Sequence, residues 1–220
     1  MMKILFHPHV QEKFERVKRS RIFNNLLKIY SLDKKKVLDI GCSDGEYLIH
    51  FGKGSKGIEV VPEHIENCQK AGLEVINANV EDDLSLNETF DVIWCNNLIE
   101  HLVAPHLFLM RIRRFLKEDS MLILGCPVIP KIFLFRYLKR FEGYLAQEHL
   151  NFFTSLTLRL TLERAGYLIE EARLFYFRNS FLDKLLSIIA PHIYLICRKV
   201  KDFQYPSKRL EIFTPKFQKQ

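Results

Sequence analysis

The sequence predicts an α/β fold: a doubly wound, mostly parallel sheet of seven strands with an inserted cap before the sixth. Three observations carry this expectation. Short apolar runs of strand length recur along the chain, among them VLDI at 37–40, FDVIWC at 90–95 and SMLILGC at 120–126. Segments with helical spacing separate them, and such alternation places helices on both faces of a parallel sheet. The first run ends at once in a small-residue turn, Gly41-Cys42-Ser43-Asp44-Gly45, where an open sheet of this kind receives its ligand.

Each element has its own signal. Residues 10–30 put Phe14, Val17, Ile22, Leu26 and Ile29 near helical spacing, which predicts one amphipathic helix leading into the domain. Val37–Ile40 is the first strand, and residues 46–51 suit a short helix. The second strand is expected over 57–61. A helix opened by Pro62 and stopped by Gly72 follows, then a third strand over 73–78. The β-branched and aromatic content of 90–95 favours a strand. Residues 104–117 form a helix whose apolar face includes Leu107, Phe108, Ile112 and Phe115, and 120–126 a fifth strand. Between 128 and 150 the alternation lapses into aromatic and basic residues, read as a cap over the carboxyl ends of the strands. A helix capped by Thr154 or Ser155 and stopped by Gly166 comes next, then strands over 168–177 and 192–200. The chain divides into a helical lead-in at 1–33, a ligand-binding domain at 34–200 with its cap at about 128–150, and a tail at 201–220.

Composition narrows the function classes. The chain has 220 residues, 48% of them hydrophobic, and a net charge of +7. It can bury a sizeable core, and its basic residues lie in small scattered clusters typical of a solvated surface. The five cysteines, Cys42, Cys68, Cys95, Cys126 and Cys197, form no C-x-x-C pair, so buried free thiols are expected rather than zinc ligands or disulfides. No apolar run reaches the about 18–20 residues that span a bilayer; SFLDKLLSIIAPHIYLIC at 180–197 is broken by Asp183, Lys184, Pro191 and His192. A cytoplasmic, soluble protein is expected, with contact to a membrane surface left open. No H-E-x-x-H motif is present, and no metal is expected.

The chemistry gathers at the strand tips. Asp39 closes the first strand beside the glycine turn, and Glu59 closes the second, twenty positions later. Glycine permits close ligand approach, and a carboxylate at the second tip can accept bonds from both hydroxyls of a ribose. A nucleoside ligand is implied. A dinucleotide would want G-x-G-x-x-G, but the position of the third glycine is Glu46, which with Asp44 would repel a diphosphate. S-adenosylmethionine carries no phosphate, and its ammonium suits a carboxylate such as Asp39.

VLDIGCSDGEY, GIEVVPEHIENC, NANVED, FDVIWCNNLIEHL and LILGCP, in this order and spacing, resemble a class I S-adenosylmethionine-dependent methyltransferase. The likeness runs from about Lys36 to Pro127, is specific as a set, and is strongest to small-molecule O-methyltransferases of the ubiquinone-pathway type. EHLNFFTSLTLRLTLERAGY extends it beyond the cap. The resemblance implies a Rossmann-like methyltransferase fold. It also implies that Asp39, Gly41 and Gly45 line the methionine and ribose side, and that Ser43 replaces a usual glycine. Glu59 would hold the ribose. Asn79 would face the adenine amino group where the family often has aspartate, Val80 would offer its backbone N–H to the adenine ring, and Asn96 would line the pocket near the transferable methyl.

A base helps when the acceptor is a hydroxyl, and two histidines are candidates. His101 follows the fourth strand, and His149 follows the cap. Either can instead fix its loop by hydrogen bonds, and for His101 that structural role is the weightier one. Phe133, Phe135, Tyr137, Phe141 and Tyr144 could floor an acceptor pocket or pack the cap. Arg136, Lys139 and Arg140 read as a solvated face that could steer an anionic acceptor. The expected function is methyl transfer to a hydroxyl of a small molecule, lipid or glycan precursor. The alternatives are an RNA methyltransferase, against which stands the lack of an Asn/Asp-Pro-Pro-aromatic run after Cys95, and a protein that binds S-adenosylmethionine without turnover.

Overall fold

The computed structural model of the chain describes residues 6–130 and 146–205. Strands β1 (Val37–Ile40), β2 (Lys56–Glu59), β3 (Val75–Asn77), β4 (Phe90–Asn96), β5 (Leu116–Pro127), β6 (Tyr167–Arg173) and β7 (His192–Lys199) form one sheet in the order β3-β2-β1-β4-β5-β7-β6. The first five run parallel to one another, and β7 runs antiparallel to both β5 and β6. This is the mostly parallel, seven-stranded sheet that the alternating pattern predicts.

The central strands explain their own lack of polar alternation. Every residue of β1 is buried. Leu38 and Ile40 join one apolar cluster and Val37 joins another, because successive side chains point to opposite faces and both faces are covered. Trp94 of β4 is 1% exposed and packs among Phe23, Phe51 and Tyr47, a core residue.

Helices α1 (Pro8–Arg19), α2 (Arg21–Ile29), α3 (Pro62–Lys70), α4 (Pro105–Ile112), α5 (Ser155–Arg164) and α6 (Ser180–Leu186) complete the described elements. The single lead-in helix expected over 10–30 is in fact two. Ser20 is extended, and its hydroxyl accepts the Phe23 N–H to start α2, a competition with helix that serine is suited to win. The helix expected over 46–51 is one 3-10 turn at Leu48–His50. β5 begins at Leu116, four residues early, since Leu116 pairs with Phe90, and the exposed Lys117, Glu118 and Asp119 carry no apolar signal. β6 ends at Arg173 rather than 177, with Phe175 in the left-handed region at φ 61°. At α5 the expected signals act as read: Thr154 caps it, Thr157 closes a capping box, and Gly166 follows at φ +83°.

Of the cap, residues 131–145 lie outside the described residues, and with them Phe133, Phe135, Arg136, Tyr137, Lys139, Arg140, Phe141 and Tyr144; so do tail residues 206–220. All five cysteines are free and buried. Among the described residues no helix is long and apolar enough to cross a membrane.

Candidate active site

β1, β2 and β4 end side by side, and the loops after them carry the predicted residues. Gly41 and Cys42 both donate backbone N–H bonds to Ile58 O, and Gly45 donates to Cys42 O. The turn is thereby folded onto β2. Gly45 has φ +84°, where a side chain is strained, and a Cβ there would also push against Leu73 and Cys68. Ser43 also takes a left-handed conformation, φ 50°. It therefore fills the place of a glycine at some strain.

Asp39 is 2% exposed, and its Oδ2 has no hydrogen-bond partner. Burial holds its carboxyl well above the ordinary carboxylate range, and the nearby Glu46, Cys68 and Glu59 push it further up. Glu46 is likewise buried with Oε2 unpartnered, and burial raises its pKa. Asp44 differs. Burial opposes its ionisation, but bonds from Lys13 Nζ at 2.6 Å and Asn67 Nδ2 at 2.9 Å outweigh it, and its pKa is lowered. Asp44 thus ties α1 and α3 to the glycine turn and is already neutralised. With Asp44 paired to Lys13, the acids left to oppose an anionic ligand at the turn are Glu46 and Asp39.

Both carboxylate oxygens of Glu59 accept backbone N–H groups. Its Oε1 accepts from the Val60 and Val61 N–H groups at 2.8 and 3.0 Å, and its Oε2 accepts from the Ser43 N–H at 2.9 Å. It clamps the glycine turn to the start of α3. Asn79 is exposed beyond β3, and its Oδ1 accepts the Glu81 N–H at 3.0 Å; Val80 is half-buried beside it. Asn96 ends β4, with Nδ2 3.4 Å from the Tyr47 hydroxyl and Oδ1 buried without a partner. Asp39, Asn96 and Glu46 thus present three orphaned buried polar groups around one end of the sheet. Such groups cost free energy unless a ligand satisfies them.

The two histidines are not alternatives but neighbours. The Leu150 and Asn151 N–H groups both donate to Glu100 O at 2.9 Å, and Asn151 Nδ2 donates to Leu102 O at 2.6 Å. The segment after the cap is therefore strapped onto the turn after β4. That strap sets the His101 and His149 rings 4.8 Å apart, edge to face, with His101 Nδ1 3.1 Å from Glu148 O. Beneath them Glu100 is 1% exposed, its carboxylate oxygens without hydrogen-bond partners, and burial pushes its pKa up to about 7. Glu100 was not singled out in the sequence, where it looks like a capping acid. Donor atoms of Glu100, His101 and His149 lie within 4.8 Å of one another, a spacing that one divalent cation could bridge. A search for H-E-x-x-H cannot find a trio assembled from segments 48 residues apart.

Sequence reasoning also missed His192, which served there only as a break in an apolar run. Its Nε2 lies 2.8 Å from Asn97 Oδ1, its ring leans on Tyr194, and packing pushes its pKa down to about 4. It is a neutral imidazole at the same end of the sheet. Only the β5–β7 pairing of Pro127 with His192 brings it there.

The family model described as a methyltransferase domain matches residues 11–172. The chain is 28% identical over 145 residues to the ubiquinone biosynthesis O-methyltransferase of Glaesserella parasuis serovar 5, covering 52% of this chain and 61% of that protein. It is 32% identical over 103 residues to the mitochondrial ubiquinone biosynthesis O-methyltransferase of Schizosaccharomyces pombe, covering 41% of this chain and 37% of that one. The matches span less than two thirds of either relative. A crystal structure of a SAM-dependent methyltransferase from Archaeoglobus fulgidus has the same fold, with a TM-score of 0.60 at 20% identity over 88% of this chain and all of that one. Another, from Clostridium acetobutylicum, gives 0.63 at 10% identity over 87% and 97%. With its glycine turn, its strand order and the matched span all in agreement, the chain belongs to the methyltransferase-domain family.

Proposed function

We propose that the protein transfers a methyl group from S-adenosylmethionine, the cofactor of this family, to an oxygen of a small molecule, lipid or glycan precursor. The observation that carries the proposal is Asp39, a buried carboxylate with an unpartnered oxygen flanked by two further acids. Among the described residues no basic side chain forms an ion pair with Asp39 or Glu46. A group that brings positive charge and N–H donors would relieve that arrangement, whereas a diphosphate would worsen it.

Asp39 and the Gly41–Gly45 turn would hold the amino acid end. Glu59 already accepts three amide bonds, so it has room for about one more of its four lone-pair sites and would hold one ribose hydroxyl while keeping the turn in shape. Asn79 and Val80 would border the base, and Asn96 the methyl. When bound, the cofactor supplies a methyl on a sulfonium, already an activated donor. What remains for the chain is to align the acceptor and exclude water.

His149 and His101 would receive the acceptor proton, with buried Glu100 fixing and polarising the pair. Transfer to oxygen rather than nitrogen is supported by relatives named as O-methyltransferases at 28–32% identity. Calorimetry with S-adenosylmethionine and S-adenosylhomocysteine tests the site: binding of both is expected, and binding of neither would end the proposal. Replacing His101 and His149 singly should leave cofactor affinity unchanged while lowering turnover on an accepted hydroxyl substrate.

A further inference from the structure

α6 is built inside out. Its acid, Asp183, is completely buried, while Phe181, Leu182 and Leu185 are 73%, 43% and 60% exposed. The inversion is held in place. Asp183 accepts bonds from Arg173 Nη1 at 2.9 Å and from the Phe177 N–H at 2.8 Å, and Asn179 caps the helix by accepting the Phe181 and Leu182 N–H groups. With Asp183 anchored inward, the helical repeat turns positions 181, 182, 185 and 188 outward. Ile188 faces a groove shared with Leu156 and Leu160 of α5, which are themselves exposed. Ile188 and Lys184 join this groove to the exposed apolar face of α6, and exposed apolar residues so grouped mark a contact surface.

The rim is basic. Arg159, Arg178 and Lys184 line one depression beside the stripe, and among the described residues none of them has an ion-pair partner. Of the acids bordering the same depression, Glu170 is paired with Arg198 and Glu171 with Arg173. Glu163, in the neighbouring groove, is the one acid there without an ion-pair partner among the described residues. We propose that the outward face of α6, together with Leu156 and Leu160 of α5, docks on an anionic lipid surface. Its apolar side chains would enter the headgroup boundary, and the three bases would meet lipid phosphates.

A second copy of the chain fits less well. A two-fold contact would bring the same three bases against each other, and α6 is only about 10 Å long, whereas a stable interface takes about 20–30 residues a side. The placement also suits a lipid surface. β6 runs in the same direction as β5, because β7 is antiparallel to both. α6 therefore follows β6 at the end of the sheet that carries Asp39 and Asn96, and the chain passes from α6 directly to His192 and its bond with Asn97. Docking through α6 would turn the candidate active site toward the membrane.

Co-sedimentation of the full chain with vesicles tests this. Phosphatidylcholine vesicles containing phosphatidylglycerol should bind it, and vesicles of phosphatidylcholine alone should bind far less. F181D/L185D should abolish binding with an unchanged circular dichroism spectrum. R178Q/K184Q should weaken it roughly fivefold per charge removed, and added salt should do the same. I29D, at an exposed apolar residue of α2, should bind as the parent does. Equal binding to both vesicle types, binding that survives F181D/L185D, or no binding to either vesicle would overturn the proposal. So would a dimer in light scattering that F181D/L185D converts to monomer, since the face would then belong to a second copy.

Discussion

Asp39 and Asp183 are the same residue type, buried to the same degree, and they do opposite things. Asp183, in the half of the molecule built from β6, α6 and β7, has both oxygens satisfied by Arg173 and the Phe177 amide. Asp39, in the half built from β1, β2 and β4, has an oxygen with no partner and two further acids nearby. A buried carboxylate that is paired within the chain sets the architecture, here the inverted orientation of α6. One left unpaired at a sheet end costs stability, and under the proposed function a bound ligand would supply the missing charge.

The sharpest way to break this comparison is Asp183→Ala. It would leave the buried Arg173 guanidinium with Glu171 as its one remaining acid and the Phe177 N–H without its acceptor, and should cost about 3 kcal/mol, read as a lower midpoint in thermal or urea unfolding. A loss under about 1 kcal/mol would mean the pair does not organise that half. Glu100 offers the next largest effect. Its pKa lies near 7 in the folded chain against an ordinary 4.5, so the folded state holds its proton more tightly. The stability this provides is complete below about pH 4.5 and is lost as pH rises toward 7, a swing of at most about 3 kcal/mol. With chelator present, Glu100→Gln should flatten that decline; an unchanged pH profile would show that the Glu100 site is not desolvated.

Asp39→Asn sharpens the contrast from the other side. It replaces a buried carboxyl whose ionisation is opposed by burial and by neighbouring acids, so the ligand-free protein should become slightly more stable as pH rises. Affinity for S-adenosylmethionine should meanwhile fall about 100-fold, near 2.7 kcal/mol. An affinity within twofold of the parent would remove Asp39 from the proposed site. The smallest effect belongs to Glu59→Gln. Because Glu59 spends most of its acceptors on the turn and α3, a change of about tenfold, near 1.4 kcal/mol, is expected by calorimetry. A larger loss, accompanied by a lower unfolding midpoint, would mark Glu59 as chiefly a clamp for the turn.

Much of the fold was legible because its signals are local. The buried runs of β1 and β4, the Thr154 cap and the Gly166 stop each act within a few residues of themselves, and each formed as read. Asp39 and Glu59 were legible as strand-tip acids for the same reason. Ser20 shows where local reading slips: an apolar period can run through a break that one hydroxyl imposes. Lys13 shows a larger gap. Nothing in its helix says that its ammonium will neutralise Asp44, 31 residues away, and so alter which acids define the site.

What the sequence by itself determined is the alternation of elements and the small, acidic turn at the tip of β1. Both follow from backbone sterics and apolar periodicity, which operate over a few residues. Only the tertiary structure decided which groups share a site. The strap of Leu150 and Asn151 onto Glu100 joins two histidines into a pair, the antiparallel β7 carries His192 beside Asn97, and the Arg173–Asp183 bond turns an apolar helix face outward. Each is a through-space contact between distant segments, and its energy depends on burial and partners that exist only once the chain has closed.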